Sequence, residues 1–134
     1  MSVRSFDHVA IPMENVEAML AFYRALGFRV DDRFAPRAWS LHLADQKINL
    51  HAPELWQNGR FTLRGPTAQP GCGDFCFVWD GSARALVDLL GAHAIEVIEG
   101  PVERDGGRNG GASVGISTYI RDPDGNLVEF IRYD

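Results

Sequence analysis

The chain has 134 residues, 46% hydrophobic and 23% charged, with a formal net charge of −5 at pH 7; this fits one globular domain with its own core, not a disordered segment. No apolar run approaches the roughly 20 residues needed to span a bilayer, and the arginines are scattered rather than gathered into the basic stripe that nucleic acid requires. Cys72 and Cys76 lie just before and within one expected strand with poor geometry for a disulfide, and Met1 to Asp7 lacks the apolar stretch of a signal peptide, so a cytoplasmic protein is expected.

In chain order, Phe6 to Ile11 reads as a short strand closed by Pro12. A helix follows, with Asn15 as its N-cap, a stripe of Val16, Met19, Leu20, Tyr23 and Leu26, and Gly27 at its end. Strands are predicted over Phe28 to Arg33, Trp39 to Leu43 and Lys47 to Ala52, the last two joined by Ala44-Asp45-Gln46. After a linker over 53–71, Asp74 to Trp79 reads as a strand. Ser82 caps a second helix with Leu86, Val87, Leu89 and Leu90 on its buried face, and Gly91 ends it. Strands are then expected at Glu96 to Glu99, Gly115 to Arg121 and Asn126 to Tyr133, with Asp122-Pro123-Asp124-Gly125 as the final turn.

The order βαβββ therefore occurs twice, in units of about 4–52 and 72–133 within a single domain. The fold class expected is α+β. Matching the two turns sets Asp45-Gln46-Lys47 against Pro123-Asp124-Gly125, and so His51 against Glu129. Matching the first strands sets His8 against Asp74. The second unit also holds a Gly-rich insertion, Asp105 to Gly111, which reads as a mobile rim or lid.

Glu129 shares a strand face with Leu127 and Ile131, so an inward orientation would demand an ion partner or a metal; the alternative is a solvent-facing carboxylate. His8 lies in an apolar strand, where a histidine is either a satisfied core residue or a ligand. His51 shares its face with Asn49, and Asp74 is either a ligand or a strand-start cap after Gly71. Two imidazoles with one or two carboxylates suit Zn²⁺, Ni²⁺, Mn²⁺ or Fe²⁺ and leave coordination positions open. Trp39, Trp56, Trp79 and Phe61 are candidates for lining a pocket.

Phe6-Asp7-His8-Val9-Ala10-Ile11, Phe22-Tyr23, Leu26-Gly27-Phe28 and the closing Asp122-Pro123-Asp124-Gly125-Asn126-Leu127-Val128-Glu129-Phe130, set in paired βαβββ units, resemble the vicinal-oxygen-chelate superfamily of glyoxalase I, extradiol dioxygenases and bleomycin-binding proteins. Asp45 to His51 further resembles a glyoxalase-domain subgroup that includes proteins called virulence proteins. The resemblance implies a cup-shaped mixed sheet around a metal site, with His8, His51 and Glu129 as ligands. It also implies a homodimer and bidentate binding of a small substrate through adjacent oxygens. Glyoxalase I would carry histidine where Asp74 stands, which makes Asp74 a candidate base beside Glu129. Arg37 and Arg108 are candidate substrate-binding residues, and glutathione or another thiol is a possible cofactor. The implied activity is that of a metal-dependent glyoxalase-like lyase or isomerase; the alternatives are an Fe²⁺ dioxygenase and a metal-free binding or resistance protein.

Overall fold

Strand-forming runs of period two and helical stripes of period 3.6 alternate twice along the chain, and the computed structural model, which describes residues 2–134, shows what they build. The elements are β1 (His8–Pro12), α1 (Val16–Ala25), β2 (Arg29–Asp31), β3 (Ala38–Leu43), β4 (Gln46–His51) and a short α2 (Pro53–Trp56). They continue with β5 (Asp74–Val78), α3 (Ala83–Ala92), β6 (Glu99–Asp105), a single turn α4 (Arg108–Gly111), β7 (Val114–Arg121) and β8 (Leu127–Arg132). Two four-stranded sheets result, ordered β1-β4-β3-β2 and β5-β8-β7-β6. In each, the first and last strands of the unit pair in parallel and the other neighbours are antiparallel. The α+β class and the double βαβββ order are those expected from the sequence.

The chain divides into two units. The first runs to Gly73 and takes in Pro123–Gly125; the second is Asp74–Asp122 with Asn126–Asp134. The core of the first is built from Met19, Leu20 and Tyr23 of α1 with Ile11, Leu41, Ile48 and Leu50 of the sheet. Leu86 and Leu90 of α3 with Phe77, Ile120, Val128 and Phe130 form that of the second.

The register of the strands corrects one expected equivalence. In the first unit His8 pairs with Lys47 and Pro12 with His51; in the second Asp74 pairs with Leu127 and Cys76 with Glu129. The bond from Met13 N–H to the His51 carbonyl, 2.8 Å, has its counterpart in Trp79 N–H to the Ile131 carbonyl, also 2.8 Å. His51 is therefore the counterpart of Ile131, and Asn49 is the counterpart of Glu129. The two turns do not match because they differ in length. Leu43 pairs with Gln46 across Ala44 and Asp45 alone, whereas Arg121 pairs with Leu127 across Asp122 to Asn126.

Helix ends differ from expectation in two places. Asn15 makes no side-chain cap. Instead the Asp124 carboxylate accepts from the Glu14 and Asn15 N–H groups at 2.8 and 2.9 Å, and from the Asn15 amide at 2.9 Å. At the other helix, Ser82 Oγ does cap α3 through Ala85 N–H, 3.0 Å. Gly91, however, lies inside α3, and the left-handed residue beyond it is Ala94, φ 53°. β6 begins at Glu99, where the sequence places the end of a strand, and continues through Pro101. An edge strand tolerates that proline because its outward side needs no donor, and the register slips between Glu99 and Val102.

Candidate functional site

One face of the second sheet is open. On β5, Asp74, Cys76 and Val78 are exposed while Phe77 is buried. Their partners across the parallel pair are Leu127, Glu129 and Ile131, and across the next strand Tyr119 lies opposite Glu129 and Ser117 opposite Ile131. A cleft of about 340 Å³ opens on this face. Its sheet side is Cys76, Val78, Glu129 and Ile131, and its loop side is Asp105 to Arg108 with Tyr133.

Glu129 is half-buried, and the core side of β8 is Val128 and Phe130. The carboxylate thus faces the cleft rather than the apolar interior, and the expectation of an interior glutamate is corrected to that extent. Its Oε2 accepts a hydrogen bond from the buried Ser117 hydroxyl at 2.5 Å. Beside it, desolvation first, then the Glu129 charge and hydrogen bond and the smaller effect of the Asp74 charge, pushes the Cys76 thiol up to about 12. Cys76 therefore carries its proton at neutral pH and can donate it. Tyr119 is also raised, first by burial.

The Gly-rich insertion forms the rim of this cleft. Gly106 N–H donates to the Ser113 carbonyl at 2.8 Å, Ser113 N–H to the Arg108 carbonyl at 3.2 Å, and the Asn109 amide to Ser113 Oγ at 2.6 Å. Asn109 and Gly110 are both left-handed, φ 54° and 63°, a pairing open to few residues other than these. The Arg108 guanidinium lies over the Tyr133 ring, 4.5 Å from its centroid. A Cβ at Gly106 would meet the Tyr133 hydroxyl, so a side chain there would require that ring to shift.

In the first unit, His8 is exposed, and its Nδ1 lies 2.6 Å from Asp7 Oδ1, leaving Nε2 free as a donor atom. His51 is half-buried with its ring edge-on to Phe61, 5.2 Å between centroids. Burial, then the Arg64 charge, lowers its pKa and keeps the imidazole neutral. His8 and His51 share a face but stand four register positions apart, as His8 pairs with Lys47 and Pro12 with His51. At roughly 3.3 Å per residue that is about 13 Å, too wide for two imidazoles to share an ion whose bonds to nitrogen are about 2 Å. Asn49, in the place equivalent to Glu129, accepts a bond from Ser40 Oγ at 2.8 Å. Among the described residues no group of three His, Cys, Asp or Glu is placed to hold a metal ion. His8 and His51, both of the first unit, are therefore not placed to share one ion.

The remaining candidates separate. Asp74 is exposed on the open face but is not part of the cleft lining. Arg37 is exposed in the first unit, ahead of β3, whereas Arg108 lines the cleft. Trp56 donates to the Met13 carbonyl and Trp79 to the Ser82 carbonyl, both at 3.0 Å, and no tryptophan lines this cleft.

Residues 5–130 match the Glyoxalase/Bleomycin resistance protein/Dioxygenase superfamily. The chain belongs to this superfamily. Among relatives in the superfamily, a glyoxalase domain-containing protein RDO1 of Mycosarcoma maydis is 39% identical over 136 residues, covering 99% of this chain and 70% of the relative. Virulence protein STM3117 of Salmonella typhimurium is 33% identical over 134 residues, covering 99% of this chain and 87% of the relative. The crystal structure of that virulence protein superposes with a TM-score of 0.85 at 32% identity, covering all of both chains. An integron cassette protein from the mobile metagenome of V. Cholerae gives 0.85 at 28% identity, covering 100% of this chain and 98% of the other.

Superfamily membership agrees with the resemblance read from the opening and closing motifs. No helix among the described residues is long and apolar enough to cross a membrane. Three site features escape sequence reading: the Ser117 hydroxyl on Glu129, the protonated Cys76 thiol and the Arg108–Tyr133 stack. The first two depend on cross-strand register. The third has one legible signal, an arginine inside a glycine-rich insertion.

Proposed function

We propose that the chain is a glyoxalase-like lyase or isomerase acting on a small carbonyl compound with adjacent oxygens, with Glu129 as the group that moves the proton. The observation that carries this reading is the Glu129 carboxylate facing the second-unit cleft, its Oε2 held by Ser117 Oγ at 2.5 Å with a protonated thiol beside it. A carboxylate so held can remove a proton from the carbon next to a carbonyl and return it to the neighbouring carbon. The Cys76 S–H, on the same cleft wall, can donate to an oxygen on which negative charge develops. Asp74, outside the cleft lining, leaves the base role to Glu129.

The superfamily also implies a divalent ion. Because His8 and His51 are not placed to share one ion, the proton steps are assigned to Glu129 and Cys76. The same separation of His8 from His51 weighs against the Fe²⁺ dioxygenase alternative, whose facial triad needs both. It favours a second reading, in which the cleft sequesters a small molecule without turning it over. A homodimer and a thiol requirement belong to the first reading, and light scattering and assays with and without glutathione address them.

The deciding experiment follows solvent-deuterium incorporation into methylglyoxal, its glutathione hemithioacetal and pyruvate by NMR. Glu129→Gln should slow exchange by about 10²–10⁴-fold, the usual contribution of a positioned general base. If exchange is equally fast in this variant, Glu129 is not the base. Binding without exchange in the parent protein would favour the sequestering reading.

A further inference from the structure

We propose that Arg108, stacked on Tyr133 at the mouth of the second-unit cleft, anchors a carboxylate, so that the ligands of this site are small monoanionic carbonyl acids rather than neutral aldehydes or ketones. The inference rests on the proposed use of the same cleft and names its substrate class.

Three other arginines of the second unit are paired with carboxylates. Arg84 pairs with Asp88 at 2.9 Å, Arg104 with Glu99 at 3.0 Å, and Arg132 with Asp134. Arg108 has no carboxylate within ion-pair distance among the described residues, although Asp105 lines the same cleft. Its guanidinium is instead fixed by an aromatic face, 4.5 Å from the Tyr133 centroid, which leaves its edge N–H groups for a ligand. A stacked guanidinium presents a planar fork suited to a carboxylate's two oxygens. The loop that carries it is already closed by the bonds of Gly106, Asn109 and Ser113, so little ordering entropy remains to be lost on binding.

Cleft chemistry narrows the anion. Glu129 and Asp105 contribute two negative charges against the single positive charge of Arg108. That net negative charge favours the anion of lower charge: a dianion such as phosphate meets about twice the repulsion of a monoanion, whereas a monoanionic carboxylate can pair with Arg108 and direct its carbonyl end along the apolar walls, Val78 and Ile131, toward Glu129.

The test uses the full chain and three probes: pyruvate, its neutral methyl ester and inorganic phosphate. Binding is followed by ¹⁵N NMR of the guanidinium Nε signals and of the Gly106 and Gly107 amides, with the Arg108 signal assigned by its loss in Arg108→Gln. Pyruvate should shift these signals, and its Kd should rise about tenfold or more in Arg108→Gln. Arg108→Lys, which keeps the charge and loses the planar fork, should fall between. The ester and phosphate should bind at least tenfold more weakly than pyruvate. Equal binding of ester and acid, tighter binding of phosphate, or an unchanged Kd in Arg108→Gln each overturns the proposal. The readout is separate from turnover. Carboxylate binding that depends on Arg108 without any deuterium exchange refutes the lyase reading and leaves this one standing. Exchange on neutral substrates that depends on Glu129 but ignores Arg108 does the reverse.

Discussion

His51 illustrates how far a residue's chemistry depends on its place in a strand. Its sequence neighbourhood gives it the look of a ligand, yet register puts it level with Pro12 and far from His8, with Phe61 and Arg64 as its neighbours. Burial, and secondarily Arg64, lowers its pKa below the ordinary 6.5. The unfolded chain therefore binds a proton at His51 that the folded chain refuses, in the window between the lowered value and 6.5. Stability from this residue is complete above pH 6.5 and is lost as the pH falls through that window. Urea unfolding at pH 7.5 and pH 5 should show a larger midpoint loss for the parent protein than for His51→Gln; equal losses would mean that His51 titrates normally. Glu129 and His8 were legible because strand alternation places a polar side chain on one face whatever its partners. The Ser117 hydroxyl on Glu129 was not, since it needs the pairing of β7 with β8, which one strand's sequence does not contain.

At the level of elements, turns rather than strands limited what the sequence could show. Both final hairpins carry Asp with flexible neighbours, and their similar chemistry hides a difference in length. The longer one is closed by Asp122, whose carboxylate accepts from Asn126 N–H and its side-chain amide at 2.9 and 2.8 Å. The end of α3 shows a similar ambiguity. A glycine at position 91 suggests a terminator, but the helix runs past it to Ala92 and the left-handed position falls on Ala94. An alanine there carries a steric cost of about 1 kcal/mol that glycine would not. Ala94→Gly should therefore raise the thermal midpoint, measured by circular dichroism. A lowered midpoint would show that the extra freedom glycine gives the unfolded chain outweighs the relief of left-handed strain. The sequence reading stops this strand at Glu99 because Pro101 argues against continuing it, whereas β6 runs on through the proline, which its edge position makes acceptable.

For the molecule as a whole, the double βαβββ order was visible because helix stripes and strand runs recur in the same sequence order. The superfamily was visible because its opening and closing motifs are both present. How a site is assembled lies beyond such patterns, as it rests on the register inside each sheet. The Asp124 carboxylate, which holds the Glu14 and Asn15 N–H groups ahead of α1, should contribute about 1–2 kcal/mol, as a good N-cap does. Asp124→Ala should lower stability by that amount and speed amide hydrogen exchange in the first turns of α1; no change in α1 exchange would rule out the capping role. The chain that supplies this carboxylate returns to the first unit only for Pro123–Gly125, between two strands of the second. A gene cut after Gly73 would thus give a first half that lacks the acceptor for the Glu14 and Asn15 N–H groups just ahead of α1. The first βαβββ repeat therefore cannot be engineered as a free-standing module without supplying a substitute for Asp124.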